Sequence, residues 1–326
     1  MNAVDHNNVV IFDDRGIPSI MCRFVRPKDT EEVPAVFKIG DKVADAIYIS
    51  KYPNIVIDGR AYSMPMADPT VNITFDGAVQ ACRCKGLGWH LMTAVEYEYL
   101  LNQSREKGTM PHGNTDWGKD YYHNDEQGKV SNLGRTYTGT GPITWNHDHT
   151  PYGVSDLNGN VWEWLAGLRI KDGVIEFIPD NKAASPYCDL SKDSAEWQQA
   201  ETSKGPVRAN VECGEITITD AVAADDYEPD YDGVRIEKLE VELSEIPQVL
   251  KDLGIIPDKR AEEEGKTYVY FDATEGEYMP IRGSAFSNTS NSGPSALGLF
   301  NPRSNSGGSV GFRSAFYEVN GKLITE

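Results

Sequence analysis

Apolar positions recur with a helical period in two segments. In the first, Phe75, Ala78, Val79 and Cys82 stand at i, i+3, i+4 and i+7, a one-sided stripe that predicts an amphipathic helix. Thr74 is placed to cap its free amides and Gly86 to end it. The second begins at Thr93, with Glu96 at the spacing of a capping box, in which each side chain satisfies the other's backbone amide. Ala94, Tyr97 and Leu101 supply its buried stripe, and Gly108 lies beyond its end. Gly88-Trp89-His90-Leu91 makes a tight connection between the two.

Elsewhere the pattern is one of short strands. Val9-Val10-Ile11-Phe12 and Met21 to Val25 are β-like runs punctuated by Gly16, Pro18 and Pro27, and Ala46 to Ser50 alternates until Tyr52-Pro53 breaks it. Leu168 to Ile178 predicts a hairpin turning at Lys171-Asp172-Gly173. Thr267 to Phe271, Tyr278 to Gly283 and Val310 to Tyr317 read as closing strands. From Gly108 to Tyr152 the chain is loop-like, with Trp117 and Trp145 as anchors. Residues 180–270 read as an acidic insertion with a solvated face, one short helix near Leu243 to Leu253, and the charge run Glu262-Glu263-Glu264. Residues 1–45 are expected to form a small β-rich module or docking arm through which the protein oligomerises, and residues 46–326 an α+β domain.

Composition narrows the function classes. With 326 residues, of which 39% are apolar, the chain holds one sizeable core plus an appendage. A net charge of -19 repels phosphate, so neither nucleic acid nor an anionic membrane surface is expected as a partner. No basic-then-apolar signal peptide is evident at the start, and no apolar run is long enough for membrane insertion. Cys22, Cys82, Cys84, Cys188 and Cys213 are odd in number and scattered, as reduced thiols are. Cys82 and Cys84 lack a second pair at zinc spacing, and His147-Asp148-His149 reads as an exposed loop pair.

The densest motif is Gly153-Val154-Ser155-Asp156-Leu157-Asn158-Gly159-Asn160-Val161-Trp162-Glu163-Trp164. Trp162 and Trp164, at period two, share one strand face, while Gly159 and its flanking asparagines favour a turn. Arg313 is expected to pair with a carboxylate such as Glu163 inside the domain. The helix pair around Gly88 to Tyr99, then this motif, then Ile281-Arg282-Gly283-Ser284 and Val310-Gly311-Phe312-Arg313 follow in order. That order resembles the formylglycine-generating-enzyme and sulfatase-modifying-factor branch of the C-type lectin fold, over residues 46–168 and 278–318. The enzymes of that branch use a cysteine pair in the C-terminal segment, whereas Ile281 to Phe316 contains no Cys, His, Asp, Glu or Lys. Without a thiolate, copper has no such ligand and the reaction no such nucleophile. A formylglycine-generating oxidase therefore lacks its cysteines here, and an iron-dependent sulfoxide synthase its His triad.

Residues 281–316 instead resemble the variable region of diversity-generating-retroelement target proteins. Arg282-Gly283-Ser284, Leu297, Leu299, Asn301 and Val310-Gly311-Phe312-Arg313 match the fixed positions. Ala285, Phe286, Ser287, Gly298, Phe300, Gly307, Gly308 and Ser309 fall at interleaved positions where templates carry Asn, and each is reached from an Asn codon by adenine changes alone. The resemblance implies a non-enzymatic display protein at a phage tail tip or on a bacterial surface, presenting these residues and Asn288 to a protein or glycan receptor, with no cofactor required. The residues themselves suggest a solvated face anchored by Leu297, Leu299, Val310 and Phe312, with Phe286 and Phe300 as exposed aromatics. Relatives that hold structural calcium beside the Gly-Asn-Val-Trp-Glu run imply Asp156 and Glu163 as its oxygen donors, with the Gly159 and Val161 carbonyls.

Overall fold

The computed structural model describes residues 6–256 and 266–323. Helix α1 spans Phe75–Arg83, and the Thr74 hydroxyl accepts the Gly77 N–H as expected of its cap. Helix α2, Ala94–Lys107, starts with the Thr93/Glu96 capping box and ends on Gly108 at φ 66. A third helix, α3, is only Gln248–Asp252, shorter than expected because Pro247 begins it and Gly254 turns left-handed at φ 66. The rest is mostly β, in two large sheets and three small hairpins.

The first sheet runs His6–Phe12, Pro18–Val25, Ala46–Ser50, Ser314–Val319. The strands expected to form a module apart are therefore hydrogen-bonded into the domain, with Met21 to Val25 opposite Ser50 to Ala46. The reason lies in their burial. Met21 packs in one cluster and Cys22 and Phe24 in another, so the Pro18–Val25 strand is covered on both faces.

The second sheet has twelve strands among the described residues. Its hairpin Leu168–Lys171/Val174–Phe177 turns on Asp172 at φ 50 and Gly173 at φ 77, the predicted connection in the left-handed geometry such turns need. The acidic insertion is a correction to the expectation of a merely solvated face. Arg208–Glu212 and Glu215–Thr219 extend the sheet beyond that hairpin, and Tyr231–Arg235 and Tyr268–Asp272 extend it at the other edge. Ala209, Val211, Ile216 and Ile218 face the core, while Glu212 and Glu215 face water. Glu212 and Glu215 thus stand at the exposed turn end of a strand pair, one face of which is core. Glu262-Glu263-Glu264 lie outside the described residues.

The indoles of Trp162 and Trp164 are buried with Phe75, Ala78 and Cys82 of α1, and Trp164 Nε1 donates to the Ile73 carbonyl at 2.9 Å. Trp145 is buried as expected, but Trp117 is 57% exposed and is no core anchor. The His147-Asp148-His149 expectation is also corrected. His147 is fully buried, its Nδ1 accepting the Val154 N–H at 2.8 Å, because this stretch folds back under Phe24. Among the described residues no helix is long and apolar enough to cross a membrane.

Candidate ligand-binding face

The strand Trp162–Trp164 lies between the beginning and the end of the C-terminal segment, antiparallel to Glu277–Arg282 and parallel to Val310–Phe312. The turn that precedes it holds the rest of the site. Gly159, at φ 73, donates its N–H to the Gly283 carbonyl at 2.6 Å, and a Cβ there would lie 2.1 Å from the Asn114 carbonyl oxygen. Asn160, itself left-handed at φ 63, accepts the Thr136 N–H on its Oδ1 and donates to the Thr136 carbonyl. Its backbone carbonyl accepts the Phe286 N–H and its N–H donates to Asn114. Asn158 donates its amide to the Pro111 carbonyl and accepts the Ser284 hydroxyl, so three consecutive residues join the 110–136 loop to the segment that starts at Gly283.

Arg313 and Glu163 form the expected pair, bidentate at 2.6 and 2.5 Å with both side chains essentially inaccessible. The remaining guanidinium hydrogens go to the carbonyls of Ser50, Ser155 and Asp156. This geometry argues against calcium at Asp156 and Glu163. Both Glu163 oxygens are engaged by a buried cation, which would repel a divalent ion, and the Gly159 carbonyl accepts the Val161 N–H. Asp156 accepts the Gly139 N–H, and burial pushes its carboxyl up to about 6. Among the described residues no group of three or more His, Cys, Asp or Glu could hold a metal ion. Burial also raises the thiols of Cys22 to about 12 and Cys188 to about 11, and raises that of Cys82, so all three stay protonated at neutral pH.

The face over 281–316 is less solvated than its sequence suggests. Leu297–Pro302 is a strand, parallel to Tyr268–Asp272 and antiparallel to Glu277–Arg282, so part of it is enclosed by its neighbours. Ala285 and Phe286 are buried, and Gly298 is buried where a Cβ would come within 2.7 Å of Phe300 and 2.9 Å of Ile281. Phe300 is half-buried against Tyr231 and Tyr270. Ser287, Asn288, Gly307, Gly308 and Ser309 all reach solvent at least partly. Their backbone is held: Asn288 Oδ1 accepts the Ala285 N–H, and the Gly307, Gly308 and Ser309 carbonyls accept from Asn72, Arg135 and Trp162.

This division gives a direct expectation. Gly298→Asn should lower stability by about 1–3 kcal/mol through overpacking, whereas Ser287→Asn should stay within about 0.5 kcal/mol of wild type. Urea denaturation of the two variants reads the difference, and equal values would mean that position 298 is free.

The structure adds residues that the sequence reading missed. Trp117 donates its N–H to the Phe286 carbonyl and rests its indole on that ring, with centroids 5.0 Å apart. Tyr122 donates its hydroxyl to the Ser290 carbonyl at 2.9 Å. Tyr231 and Tyr270 flank Phe300. Burial raises all three phenols, with Asn291 opposing the shift at Tyr270, so they are neutral near pH 7. Residues 283–302 contain no charged side chain, so their contribution to the face is aromatic, amide and hydroxyl groups. The only sequence signal was a run of Trp and Tyr in a loop of Gly, Asn and Asp, which does not say where that loop folds.

A compact β-rich domain with this closing Gly-Phe-Arg strand is matched over residues 51–316 by the sulfatase-modifying factor enzyme 1-like domain. The chain belongs to the sulfatase-modifying factor enzyme 1-like family, with the C-type lectin-like fold expected from its sequence. It is 35% identical over 105 residues to mouse (Mus musculus) formylglycine-generating enzyme, a match covering 30% of this chain and 27% of that one. The chain thus spans about a quarter of the length of that relative. Among solved structures, it is similar to a Major Tropism Determinant I1 variant at 11% identity and a TM-score of 0.35, over 97% of this chain and 56% of that one. It is also similar to PvdO from Pseudomonas aeruginosa at 12% identity and a TM-score of 0.36, over 95% and 98% of the two chains.

Proposed function

We propose that the protein is a receptor-binding display protein whose segment 281–316 is rewritten by a retroelement, carried at a phage tail tip or on a bacterial surface. The observation that supports it is the division inside one segment. Leu297, Leu299, Val310, Phe312 and Arg313 are buried anchors, while Ser287, Asn288, Gly307, Gly308 and Ser309 reach solvent on a held backbone. Such a frame tolerates side-chain exchange at its exposed positions without losing the fold. Phe300 offers a half-covered aromatic edge among them, and Ala285, Phe286 and Gly298 shape the face from beneath. The receptor is a protein or glycan on a target cell. The test replaces Ser287, Gly308 and Ser309 together with arginine and measures adsorption to target cells. The reading expects adsorption to fall at least about tenfold with the melting temperature preserved; unchanged adsorption overturns it.

Family membership favours a second reading, an oxidase of the formylglycine-generating type. It would need a thiolate or a metal on the same face, where 281–316 supplies neither Cys nor His. Stoichiometric copper or iron in the purified protein would restore that reading.

Assembly fits the first strand of the first sheet. Val10 and Phe12 lie on one face of the edge strand His6–Phe12 and are 54% and 60% exposed. An apolar edge of this kind is a ready template for another copy. Val10→Lys/Phe12→Lys is expected to shift the protein towards monomer in light scattering, and an unchanged mass would remove the edge from the assembly.

A further inference from the structure

The loop beside the C-terminal segment carries large apolar groups that its own fold leaves largely exposed. Trp117 and Leu133 are 57% and 72% exposed, and Val130, Tyr121 and Tyr122 are exposed with them. Trp117 and Leu133 both have left-handed backbones, at φ 51 and φ 52, a costly conformation for bulky residues. Trp117 is nonetheless fixed. Its N–H is bound by the Phe286 carbonyl, its ring lies on Phe286, and Gly134 leaves the room for it, since a Cβ there would fall 2.4 Å from Trp117 Cε3. A strained backbone that holds a large side chain in water points to a contact made with something else.

We propose that this loop is the constant half of a protein-binding surface, inserting Trp117 and Leu133 into an apolar cleft that is rimmed by basic residues on the partner protein. The inference rests on the reading that segment 285–309 meets a receptor, to which it adds the partner's class and the residues that anchor it. Leu133 and Val130 offer neither a hydrogen bond nor an aromatic face, so they suit a protein better than a sugar ring. Interface cores are rich in aromatic residues and poor in charge; the loop supplies Trp117, Tyr121 and Tyr122, and the adjoining residues 283–302 carry no charged side chain. The chain's net charge of -19 steers a basic partner towards it. Because the indole is already ordered, little side-chain entropy remains to be lost on binding.

The test selects binders to the full-length protein from a phage-displayed library of random peptides. The consensus peptide is then synthesised and its affinity measured by calorimetry. The expected consensus joins aromatic or aliphatic residues to Lys and Arg. Its affinity should fall at least about tenfold for Trp117→Asn and for Leu133→Asn. Asn tolerates the left-handed backbone, so neither variant should unfold, as melting curves will verify. Tyr187→Ala, an exposed aromatic outside this loop, should bind as wild type does. Affinity lost in Ser287→Arg but kept in both loop variants would overturn this inference and leave the reading of the C-terminal segment in place. Affinity kept in all three would overturn both. A peptide selection without enrichment would overturn the protein class, and a neutral glycan array bound by wild type but not by Trp117→Asn would replace it with a sugar.

Discussion

Replacing Arg313 by methionine is expected to lower the unfolding free energy by about 3–5 kcal/mol. Glu163 would keep its buried charge with its main partner gone, and the Ser50 and Ser155 carbonyls would each lose a donor. The pair also joins the motif strand Trp162–Trp164 to the end of the C-terminal segment. Its loss should therefore loosen the frame on which the exposed positions stand. A companion variant, Glu163→Leu with Arg313→Met, removes both charges and should recover much of the loss, since no buried charge is then left unpaired, although the carbonyls still lack their donor. Urea denaturation of the single and double variants measures this. A single variant within about 1 kcal/mol of wild type would contradict the assigned role.

The second large effect concerns pH. Lys85 is buried at the end of α1, its Nζ donating to Ser19 Oγ at 2.8 Å and lying 3.1 Å from the centre of the Trp89 ring. Burial pulls its ammonium down from 10.5 to about 7. A lowered folded-state value means that this residue's contribution to stability is fully present above about 10.5 and is lost as pH falls through about 7. Between those values the unfolded chain binds the extra proton, so stability rises with pH. Lys85→Met should remove that slope and stabilise the protein near pH 6 by a few kcal/mol, at about 1.4 kcal/mol for each unit of displacement. Denaturation curves for both proteins at pH 6, 8 and 10 give the comparison. Parallel pH profiles would show that the lysine is not buried in solution.

Local rules that act within one turn were legible in the sequence. The Thr93/Glu96 box, the Thr74 cap and the Asp172-Gly173 turn each depend on neighbours a few residues away. The Arg313–Glu163 pair was also legible, because few apolar strands carry an isolated arginine unless a carboxylate meets it. Sheet neighbours were not legible. Whether Leu297–Pro302 is a loop or an enclosed strand depends on Tyr268–Asp272, a strand about 30 residues earlier, where the insertion ends. The same long-range pairing drew Pro18–Val25 into the first sheet, and the Asn158-Gly159-Asn160 clamp brought Trp117 beside Phe286. The exposed aromatics were missed for that reason: their placement is set by contacts far away in sequence. The polarity of 281–316 likewise misled, since Ser, Asn and Gly can lie buried when their backbone is hydrogen-bonded.

The central claim is that segment 281–316 is rewritten on a fixed frame. Sequencing the source genome tests it most directly. The account predicts a near-copy of the segment's coding sequence beside a reverse transcriptase gene, differing from the gene only at template adenines and falling at the codons for Ala285 to Ser309 outside the buried anchors. A genome with no such copy, or with differences scattered equally over the codons for Leu297, Leu299, Val310 and Phe312, would contradict it.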